Sequence, residues 1–340
     1  MISPGTMINR IGVVAIGRNE GERLVRCLKS LISQLPQKAP IVYVDSGSTD
    51  GSVEAAKALK VEVVELDPSL PFTMAKGRNA GFNYLIQHFP SLEYIQFIDG
   101  DCELISGWIE RATEVLNSGR NLAVVCGRRR ERFPEASIYN RLADMEWNTP
   151  IGEAKACGGD ALMRIVAIKE VNGYNETLIC GEEPEMCIRL RQKDWKIRRI
   201  DADMTLHDAA MTQFGQWWKR SIRGGWAIAE GAAMHGSPPE SYKVKERFSG
   251  WLWGLILPLL AIGFAWWTSG LSLLLLLGYP ILMGRIYRYR LQYGDDMNDA
   301  RLYAFFCVLS KFPQFIGQIK YQITRWLGQQ VKLIEYKLPA

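Results

Sequence analysis

The first two thirds of the chain alternate between short apolar runs and stretches of mixed polarity. The apolar runs are rich in β-branched residues and predict buried strands at 11–16, 41–45, 61–66 and 94–99. Between them, apolar residues recur at helical spacing, most clearly at 21–33. Strands that alternate with helices are typical of a doubly wound, mostly parallel sheet, so we expect an α/β fold. Ligands of such sheets collect beyond the carboxyl ends of the strands.

The pattern is more mixed from 121 to 206. A strand is predicted at 122–127, a strand or turn leading into a helix at 158–174, and a helix at 182–195.

Residues 248–284 form an apolar tract without Asp, Glu, Lys or Arg. A bilayer-spanning helix needs about 20 apolar residues, and polar residues at 268–270 divide the tract, so it predicts a short membrane hairpin. Basic residues flank both sides, which favours both ends on the cytoplasmic face. A buried pair of core helices is the alternative. The tail from 302 mixes apolar and basic residues and predicts an amphipathic segment along the membrane surface.

The net charge and the cysteine pattern indicate which binding partners and which cellular compartment to expect. The formal net charge is +5, from 41 Lys+Arg and 36 Asp+Glu, without a long basic run. We therefore expect no nucleic-acid partner, and we interpret the basic excess near the C-terminus as contact with membrane lipids. The 7 cysteines contain no CxxC pair, which predicts reduced thiols in a cytosolic domain and neither a disulfide framework nor a zinc site. Residues 1–10 lack the apolar core of a secretory signal, so we expect a cytoplasmic first domain.

Acidic residues cluster where the strand 94–99 ends, in the sequence FIDGDCEL. Asp99 and Asp101 can turn toward one point in the cleft, and a divalent cation such as Mg²⁺ or Mn²⁺ would relieve their repulsion. Gly100 between them allows the backbone to bend and a ligand to approach. The alternative is a capping Asp with solvated neighbours.

Two further segments carry groups suited to a nucleotide. VYVDSGSTDGS places Asp45 at a second strand end, followed by small residues that suit a tight turn; an ordinary βα turn is the alternative. PFTMAKGRNAGF supplies Lys76 and Arg78, cations that could meet a diphosphate or simply lie on a helix surface.

Together these segments resemble the family 2 glycosyltransferases of the GT-A fold over roughly residues 10–235. VDSGSTDGS is similar to their nucleotide-binding VDDGSTDGT turn, AKGRNAG to their Arg-Asn-x-Gly segment, and FIDGDCE to their DxD strand end. Downstream, GGDALMR and NGYNETLICGEEPEMCIRLRQKDWKI resemble the acceptor-side region with its Gly-Glu-Asp helix start. HDAAMTQFGQWWKRSIRGGWAIAEG resembles the Trp/Arg-rich segment of membrane-associated members.

The resemblance implies a Rossmann-like GT-A sheet and assigns roles to individual residues. In the implied donor site, Asp45 holds the nucleobase, Arg78 contacts the nucleotide, and Asp99 serves the ribose. The implied donor-binding residues are Arg18, Glu20, Asp45, Ser46, Arg78, Asp99 and Gly100. The implied acceptor-binding residues are Gly159, Asp160, Glu182, Trp217 and Arg220. The metal ligands are expected to be Asp101 and His207, although a structural role for His207 stays open, as does membrane docking for the helix that carries Trp217.

The sequence departs from the family pattern at two positions. Ser46 replaces the second Asp of the nucleotide turn, and Glu183 stands where the family usually has the Asp taken as catalytic base. A carboxylate base suits the reaction, because an acceptor hydroxyl must lose a proton as it attacks C1 of the sugar. Glu182 and Glu185 are neighbouring rivals for that role.

We therefore expect a metal-dependent, inverting glycosyltransferase that moves a sugar from a nucleotide-diphosphate sugar to a glycan or lipid-linked acceptor at the cytoplasmic membrane face, as in polysaccharide biosynthesis. The predicted domains are 1–235, the GT-A domain, and 236–340, a membrane-associated helical region with the apolar tract 248–284 and the amphipathic tail. A sugar nucleotidyltransferase is one alternative, but GRNEGER after the first strand lacks the expected glycine density. A catalytically silent membrane scaffold is the other.

Overall fold

The computed structural model of the chain describes residues 10–35 and 39–329. The predictions for the extreme N-terminus and for the last part of the amphipathic tail lie outside these residues. The described chain divides into two compact units, the first formed by 10–134 and 146–210, the second by 135–145 and 211–329. The predicted domain boundary at 235 stays a prediction.

The first unit contains a nine-stranded sheet. Its strands are β1 (Ile11–Gly17), β2 (Ile41–Asp45), β3 (Glu62–Glu65), β4 (Tyr94–Asp99), β5 (Cys102–Leu104), β6 (Leu122–Glu131), β7 (Gly152–Ala154), β8 (Ala161–Arg164) and β9 (Lys196–His207). The four strands predicted in the first hundred residues are present with nearly the predicted bounds.

The sheet runs in the order β3-β2-β1-β4-β8-β6-β9-β5, and β7 pairs with β9. The half from β3 to β4 is parallel, as the alternating pattern predicts. In the other half, β8 is antiparallel to both of its neighbours and β6 is parallel to β9. The α/β prediction is confirmed, and the sheet is mixed rather than uniformly parallel.

Strand register brings the first site residues to one edge of the sheet. β1 lies between β2 and β4, where Gly17 is paired with Asp45 and Ile16 with Asp99. Because β8 is antiparallel to β4, its first residue, Ala161, lies opposite Phe97 at the same edge. The start of one strand and the carboxyl ends of two others therefore supply the site.

Helices pack against this sheet through apolar faces. The first helix buries Leu24, Cys27, Leu28 and Leu31, which follow the three- and four-residue spacing of a helical stripe. The helices of the first unit are α1 (Glu22–Gln34), α2 (Ser52–Ala58), α3 (Met74–His88), α4 (Trp108–Ser118), α6 (Ile165–Glu170) and α7 (Glu182–Arg191). Helix α5 (Ile138–Trp147) belongs to the second unit up to Met145.

The second unit is helical in its described part. Its elements are α8 (Phe214–His235), α9 (Val244–Trp251), a π-helical segment (Leu252–Ile256), α10 (Leu257–Gly263), a 3-10 segment (Leu271–Leu277), α11 (Gly278–Tyr293), α12 (Met297–Leu309) and α13 (Lys311–Trp326). Helices α8 and α13 approach closely, since a Cβ added at Gly225 would lie 2.0 Å from the carbonyl oxygen of Gln314. Trp226 and Tyr321 pack edge to face across this pair, 5.4 Å between ring centroids.

The apolar tract 248–284 forms two helical segments that meet at a turn over 264–270, near the predicted break. The segments pack on each other, and the Ser272 hydroxyl donates to the carbonyl of Ala261 at 2.6 Å. Among the described residues one helix, Leu271–Tyr293, is long and apolar enough to cross a membrane: it has 23 residues, and an 18-residue stretch of it has a mean hydropathy of 1.3. Large apolar side chains are exposed along both segments, and Trp266 at the turn is 90% exposed.

Candidate active site

The turn after β2 is organised by Asp45, which is 2% exposed. One of its carboxylate oxygens accepts from the backbone N–H groups of Gly47 and Ser48, both at 2.8 Å. The other accepts from the Tyr43 and Ser48 hydroxyls. Burial, together with the neighbouring Asp45, raises the pKa of Tyr43, so the phenol stays protonated and keeps donating. Asp45 therefore shapes the turn in which its predicted nucleobase contact would be made.

Three other predicted donor residues surround this turn. Arg18 is exposed and its guanidinium stacks over the Phe72 ring at 5.6 Å. Glu20 is buried and pairs with Arg23 at 2.9 Å. Ser46 donates its backbone N–H to the carbonyl of Gly17, which ties the turn to the end of β1.

Arg78 forms the buried cationic centre of the site. It is 1% exposed, and its two terminal nitrogens donate to Asp99 Oδ1 at 2.7 Å and to Glu182 Oε1 at 2.6 Å. Burial by itself would lower the pKa of Arg78, but the two carboxylates raise it above its ordinary value, so the guanidinium stays charged. Arg78 thus holds together Asp99, a residue predicted to bind the donor substrate, and Glu182, a residue predicted to bind the acceptor substrate.

Arg129 at the end of β6 provides a second cation. Its Nη2 lies 3.2 Å from Asp99 Oδ2 and 2.9 Å from Asp160 Oδ1. Asp160 is fully buried and also accepts from the backbone N–H of Asp99 at 2.9 Å and from the Thr205 hydroxyl at 2.7 Å. Two arginines and three carboxylates therefore form one network of charge-assisted hydrogen bonds.

Two predicted glycines lie where a side chain would collide with this network or its support. A Cβ added at Gly159 would lie 2.7 Å from Arg78 Nη2 and 2.8 Å from Asp99 Oδ2. A Cβ added at Gly100 would lie 3.0 Å from the carbonyl oxygen of Ile16. Both positions keep the backbone close to the charged groups.

Asp101 and His207 face each other across the pairing of β5 with β9. Asp101 Oδ2 is 3.1 Å from His207 Nε2, and both residues are buried. The other ring nitrogen, Nδ1, has no hydrogen-bond partner among the described residues and lies 3.5 Å from Glu131 Oε2. Metal-binding histidines commonly direct their second nitrogen at a carboxylate, so this arrangement fits a divalent cation held by a carboxylate oxygen and an imidazole nitrogen. The Cys102 thiol completes a group whose possible ligand atoms all lie within 4.8 Å of one another.

Glu103, the third acid of FIDGDCEL, points to different partners. Its carboxylate pairs with Arg132 and, at 3.3 Å, with Arg26. The three acids of this stretch therefore have separate surroundings: Asp99 the arginine network, Asp101 the histidine, and Glu103 a pair of arginines at the side. This separation relieves the repulsion that their spacing in the sequence implies.

Helix α7 begins with three buried glutamates that differ in their partners. Glu182 pairs with Arg78, and Glu185 forms a bidentate pair with Arg189 one turn later. Glu183 forms no ion pair among the described residues. Its Oε1 accepts from the Cys157 backbone N–H at 2.6 Å and from the Cys157 and Cys187 thiols, both at 2.9 Å.

Burial changes the pKa of Glu183 and of the thiol of Cys187 beside it. Burial raises the pKa of Glu183, and the hydrogen bonds from Cys157 offset part of that rise. Burial also raises the pKa of Cys187 to about 11, so this thiol is a neutral donor near neutral pH. Of the three glutamates, Glu183 is the one that has no cationic partner among the described residues.

The predicted acceptor residues Trp217 and Arg220 belong to the second unit. Trp217 is 2% exposed and packs with Leu142, Met145 and Phe306, 4.8 Å from the Phe306 ring. Arg220 is half-buried on α8. Their predicted contacts with an acceptor stay predictions.

Sequence reasoning missed four residues of the site: Arg129, Glu131, Cys157 and Cys187. Arg129 and Glu131 come from RRRE at the end of β6, and basic residues directly after the buried run LAVVC could have indicated a strand end that contributes to the site. Cys187 follows Glu183 by four residues on a helix, the spacing that places both on one face. No local pattern indicates Cys157.

Comparisons with known proteins agree with this geometry. Residues 13–165 match the family described as Glycosyl transferase family 2. A glycosyltransferase of Haloferax volcanii, AglE, is 25% identical over 229 residues, which span 63% of this chain and 71% of AglE. The succinoglycan biosynthesis protein ExoA of Rhizobium meliloti is 28% identical over 196 residues, 54% of this chain and 58% of ExoA.

A solved structure shares the fold. The mannosyltransferase PcManGT of Pyrobaculum calidifontis superposes with a TM-score of 0.53 at 16% sequence identity and covers 94% of this chain and 86% of its own. The mixed α/β sheet flanked by helices is thus a GT-A fold, as expected from the motifs. The matched segment and the two relatives support a family 2 glycosyltransferase domain in this chain.

Proposed function

We propose that the enzyme transfers a sugar, with inversion, from a nucleotide-diphosphate sugar to a hydroxyl of a glycan or lipid-linked acceptor at the cytoplasmic face of a membrane. The observation that carries this proposal is that the two aspartates at the end of β4 have different partners. Asp99 is neutralised by two arginines, whereas Asp101 faces His207, and this carboxylate and imidazole could together hold a divalent cation.

The donor half of the proposal rests on the turn of Asp45 and on the arginine network. A nucleotide at the carboxyl ends of β1, β2 and β4 would meet the Asp45 turn on one side and the Arg78–Asp99 pair on the other. Asp101 and His207 would hold the divalent cation, Mg²⁺ or Mn²⁺, which when bound neutralises the charge that develops on the leaving diphosphate. PcManGT was solved with GDP-mannose and Mn²⁺, which supports a donor and a metal of these classes.

The base of the proposed reaction is Glu183. In an inverting transfer the acceptor hydroxyl attacks C1 opposite the leaving group, and one carboxylate must accept its proton. Glu182 and Glu185 share their charge with arginines, while Glu183 has only neutral donors. Its raised pKa brings it closer to that of a useful base at neutral pH.

The membrane half of the proposal rests on the second unit. Exposed apolar patches of this extent mark contact with a membrane or a partner. The helix Leu271–Tyr293 is long enough to span a bilayer, and Trp266 and Trp267 at the adjoining turn suit its interface. An anchored enzyme would work on acceptors that are themselves at the membrane.

Donor binding and turnover across a panel of nucleotide sugars, with Mn²⁺, Mg²⁺ or chelator, test the proposal on the purified full chain. We expect one donor class to bind and to be consumed only with metal. Asp101→Asn should weaken metal-dependent activity by at least about a hundredfold, because even the loss of a residue that only supports a metal ligand can cost that much.

Glu103→Gln is the matched control, since Glu103 belongs to the same acidic stretch but pairs with Arg26 and Arg132. It should keep the metal dependence of the wild type. If Asp101→Asn retained full metal-dependent turnover, or if no nucleotide sugar bound to the folded protein, the proposal would be wrong.

A further inference from the structure

Two cysteine thiols and the Glu183 carboxylate form a compact group in the first unit. The Sγ atoms of Cys157 and Cys187 are 3.9 Å apart, and each lies 2.9 Å from Glu183 Oε1. The reaction proposed above needs the carboxylate but neither thiol. The group therefore calls for a separate explanation.

The three side chains come from two segments of the chain, a helix and a loop. Glu183 and Cys187 are one turn apart on α7, so they project from the same helix face. Cys157 lies in the loop between β7 and β8, and its backbone N–H donates to Glu183 at 2.6 Å. This bond fixes the carboxylate relative to the loop, as outer partners do for metal ligands.

The electrostatics of the group favour a cation. Glu183 is 4% exposed and has no ion pair among the described residues, in contrast to the glutamates on either side of it. A buried carboxylate without a cationic partner is costly. Cys157 is partly exposed, which gives an ion access from solvent.

We propose that Cys157, Cys187 and Glu183 bind a zinc-class divalent ion that inhibits the enzyme by occupying its base. Thiolate ligands select zinc over Mg²⁺ or Mn²⁺, which prefer oxygen. Three protein ligands leave the fourth position of a tetrahedral ion to water.

The observed spacing suits this ion. Two Zn–S bonds of about 2.3 Å at the tetrahedral angle place the sulfurs about 3.8 Å apart, close to the observed 3.9 Å. The carboxylate is nearer to the sulfurs than the tetrahedral edge of about 3.5 Å requires, so it must recede slightly or bind through its other oxygen.

Binding exchanges protons for metal. The ion forms bonds to two sulfurs and one carboxylate oxygen, and the two thiol protons leave to solvent. With Glu183 bound to the ion, the positive charge favours the ionised carboxylate, so Glu183 becomes a poor acceptor for the proton of an acceptor hydroxyl. This inhibitory consequence rests on the proposed function of Glu183, whereas the binding itself does not.

Cobalt is the probe for the binding step, because a thiolate–Co²⁺ bond gives a charge-transfer band that oxygen and imidazole ligands do not. The full chain, kept reduced, is titrated with Co²⁺ and then with Zn²⁺, which should bleach the band. Cys157→Ser and Cys187→Ser should each lose the band and weaken Zn²⁺ binding by at least roughly a hundredfold, the upper range for loss of a merely supporting residue. Cys307→Ser, a thiol of the second unit, should behave as wild type.

Asp101→Asn separates this site from the donor metal site. It should keep the cobalt band although it lacks metal-dependent transfer, so the binding result does not depend on the proposed function. In the activity arm, Zn²⁺ added at saturating Mn²⁺ should inhibit the wild type and Cys307→Ser, while Cys157→Ser should need at least about tenfold more Zn²⁺ for the same inhibition.

The proposal is overturned if the wild type gives no thiolate–cobalt band, or if the band survives in both cysteine variants while thermal melts show them folded. A band that disappears in Asp101→Asn would assign the thiolate to Cys102 and would also overturn it. Zn²⁺ binding without loss of transfer activity would leave the site but refute its inhibitory role.

Discussion

The first unit contains carboxylates with opposite surroundings, three paired with arginine and one without a cation among the described residues. Asp99, Asp160 and Glu182 are neutralised by Arg78 and Arg129 in one continuous network. Glu183, the residue after Glu182, has two thiols and a backbone amide around it and no cation in the described chain. Adjacent residues at the start of one helix therefore lie in very different electrostatic surroundings.

Pairing with arginine thus separates carboxylates suited to binding a ligand from a carboxylate suited to accepting a proton. A carboxylate paired with arginine is a fixed acceptor that positions a ligand but is a poor base, because the cation stabilises its ionised form. A buried carboxylate with neutral donors keeps its affinity for a proton. Each prediction below alters one side of this contrast.

The largest effect is expected from Glu183→Gln, which removes the unpaired carboxylate and keeps its size and polarity. We expect kcat to fall by roughly 10²–10⁴-fold, the usual contribution of a general base. Donor affinity should not change, because Glu183 contacts none of the predicted donor residues. Steady-state kinetics and donor binding measured on the same preparation provide the check.

Glu185→Gln is its matched control on the same helix turn. Glu185 pairs with Arg189 and should not influence kcat. If Glu185→Gln abolished turnover while Glu183→Gln retained it, the base would be assigned to the wrong glutamate.

Arg78→Met tests the paired side of the comparison. It leaves Glu182 buried without Arg78 and removes one arginine from Asp99, and breaking a buried pair in this way costs about 3–5 kcal/mol. The midpoint of thermal or urea unfolding of the full chain should fall accordingly. Arg130→Met, whose pair with Asp203 is largely exposed, should cost at most about 1 kcal/mol. Equal losses in the two variants would refute the special role of the buried network.

The smallest effect concerns Glu230, a second carboxylate with a neutral donor, in the second unit. Trp226 Nε1 donates to it at 3.0 Å, and burial raises its pKa from 4.5 to about 7. The folded chain thus holds this proton more tightly than the unfolded chain does. Stability should therefore fall as pH rises from about 4.5 to about 7 and stay level above.

Glu230→Gln keeps the acceptor for Trp226 and removes the ionisation. The variant should melt above wild type at pH 8 but not at pH 4, by less than about 1 kcal/mol because the side chain is partly exposed. Equal melting differences at both pH values would show that Glu230 ionises normally.

Local patterns in the sequence were sufficient for half of the fold. The apolar runs at 11–16, 41–45 and 94–99 lie next to one another as parallel strands, because a helix precedes each return of the chain to the sheet up to 94–99. The same logic could not predict β8, which enters between β4 and β6 in the opposite direction. Strand direction depends on long-range pairing, and a short apolar run has the same pattern in either direction.

The residues of the candidate site also fall into those that local sequence patterns indicate and those that they do not. Asp45, Asp99 and Asp101 were identified because a strand end in a parallel sheet is a local feature with a known place in the fold. Arg129 and Cys157 were not, because they reach the site from distant segments. The absence of a CxxC pair, on which the prediction of no zinc site rests, reports only on cysteines close along the chain, whereas Cys157 and Cys187 are brought together only in space.

By itself the sequence determined the parallel half-sheet, the acids at its edge and the apolar tract, since each follows from the period or polarity of neighbouring residues. Only the tertiary structure decided which acid meets which cation. That choice separates Glu182 from Glu183, although both begin the same helix, because ion pairing depends on distances of a few ångströms between segments far apart in the chain.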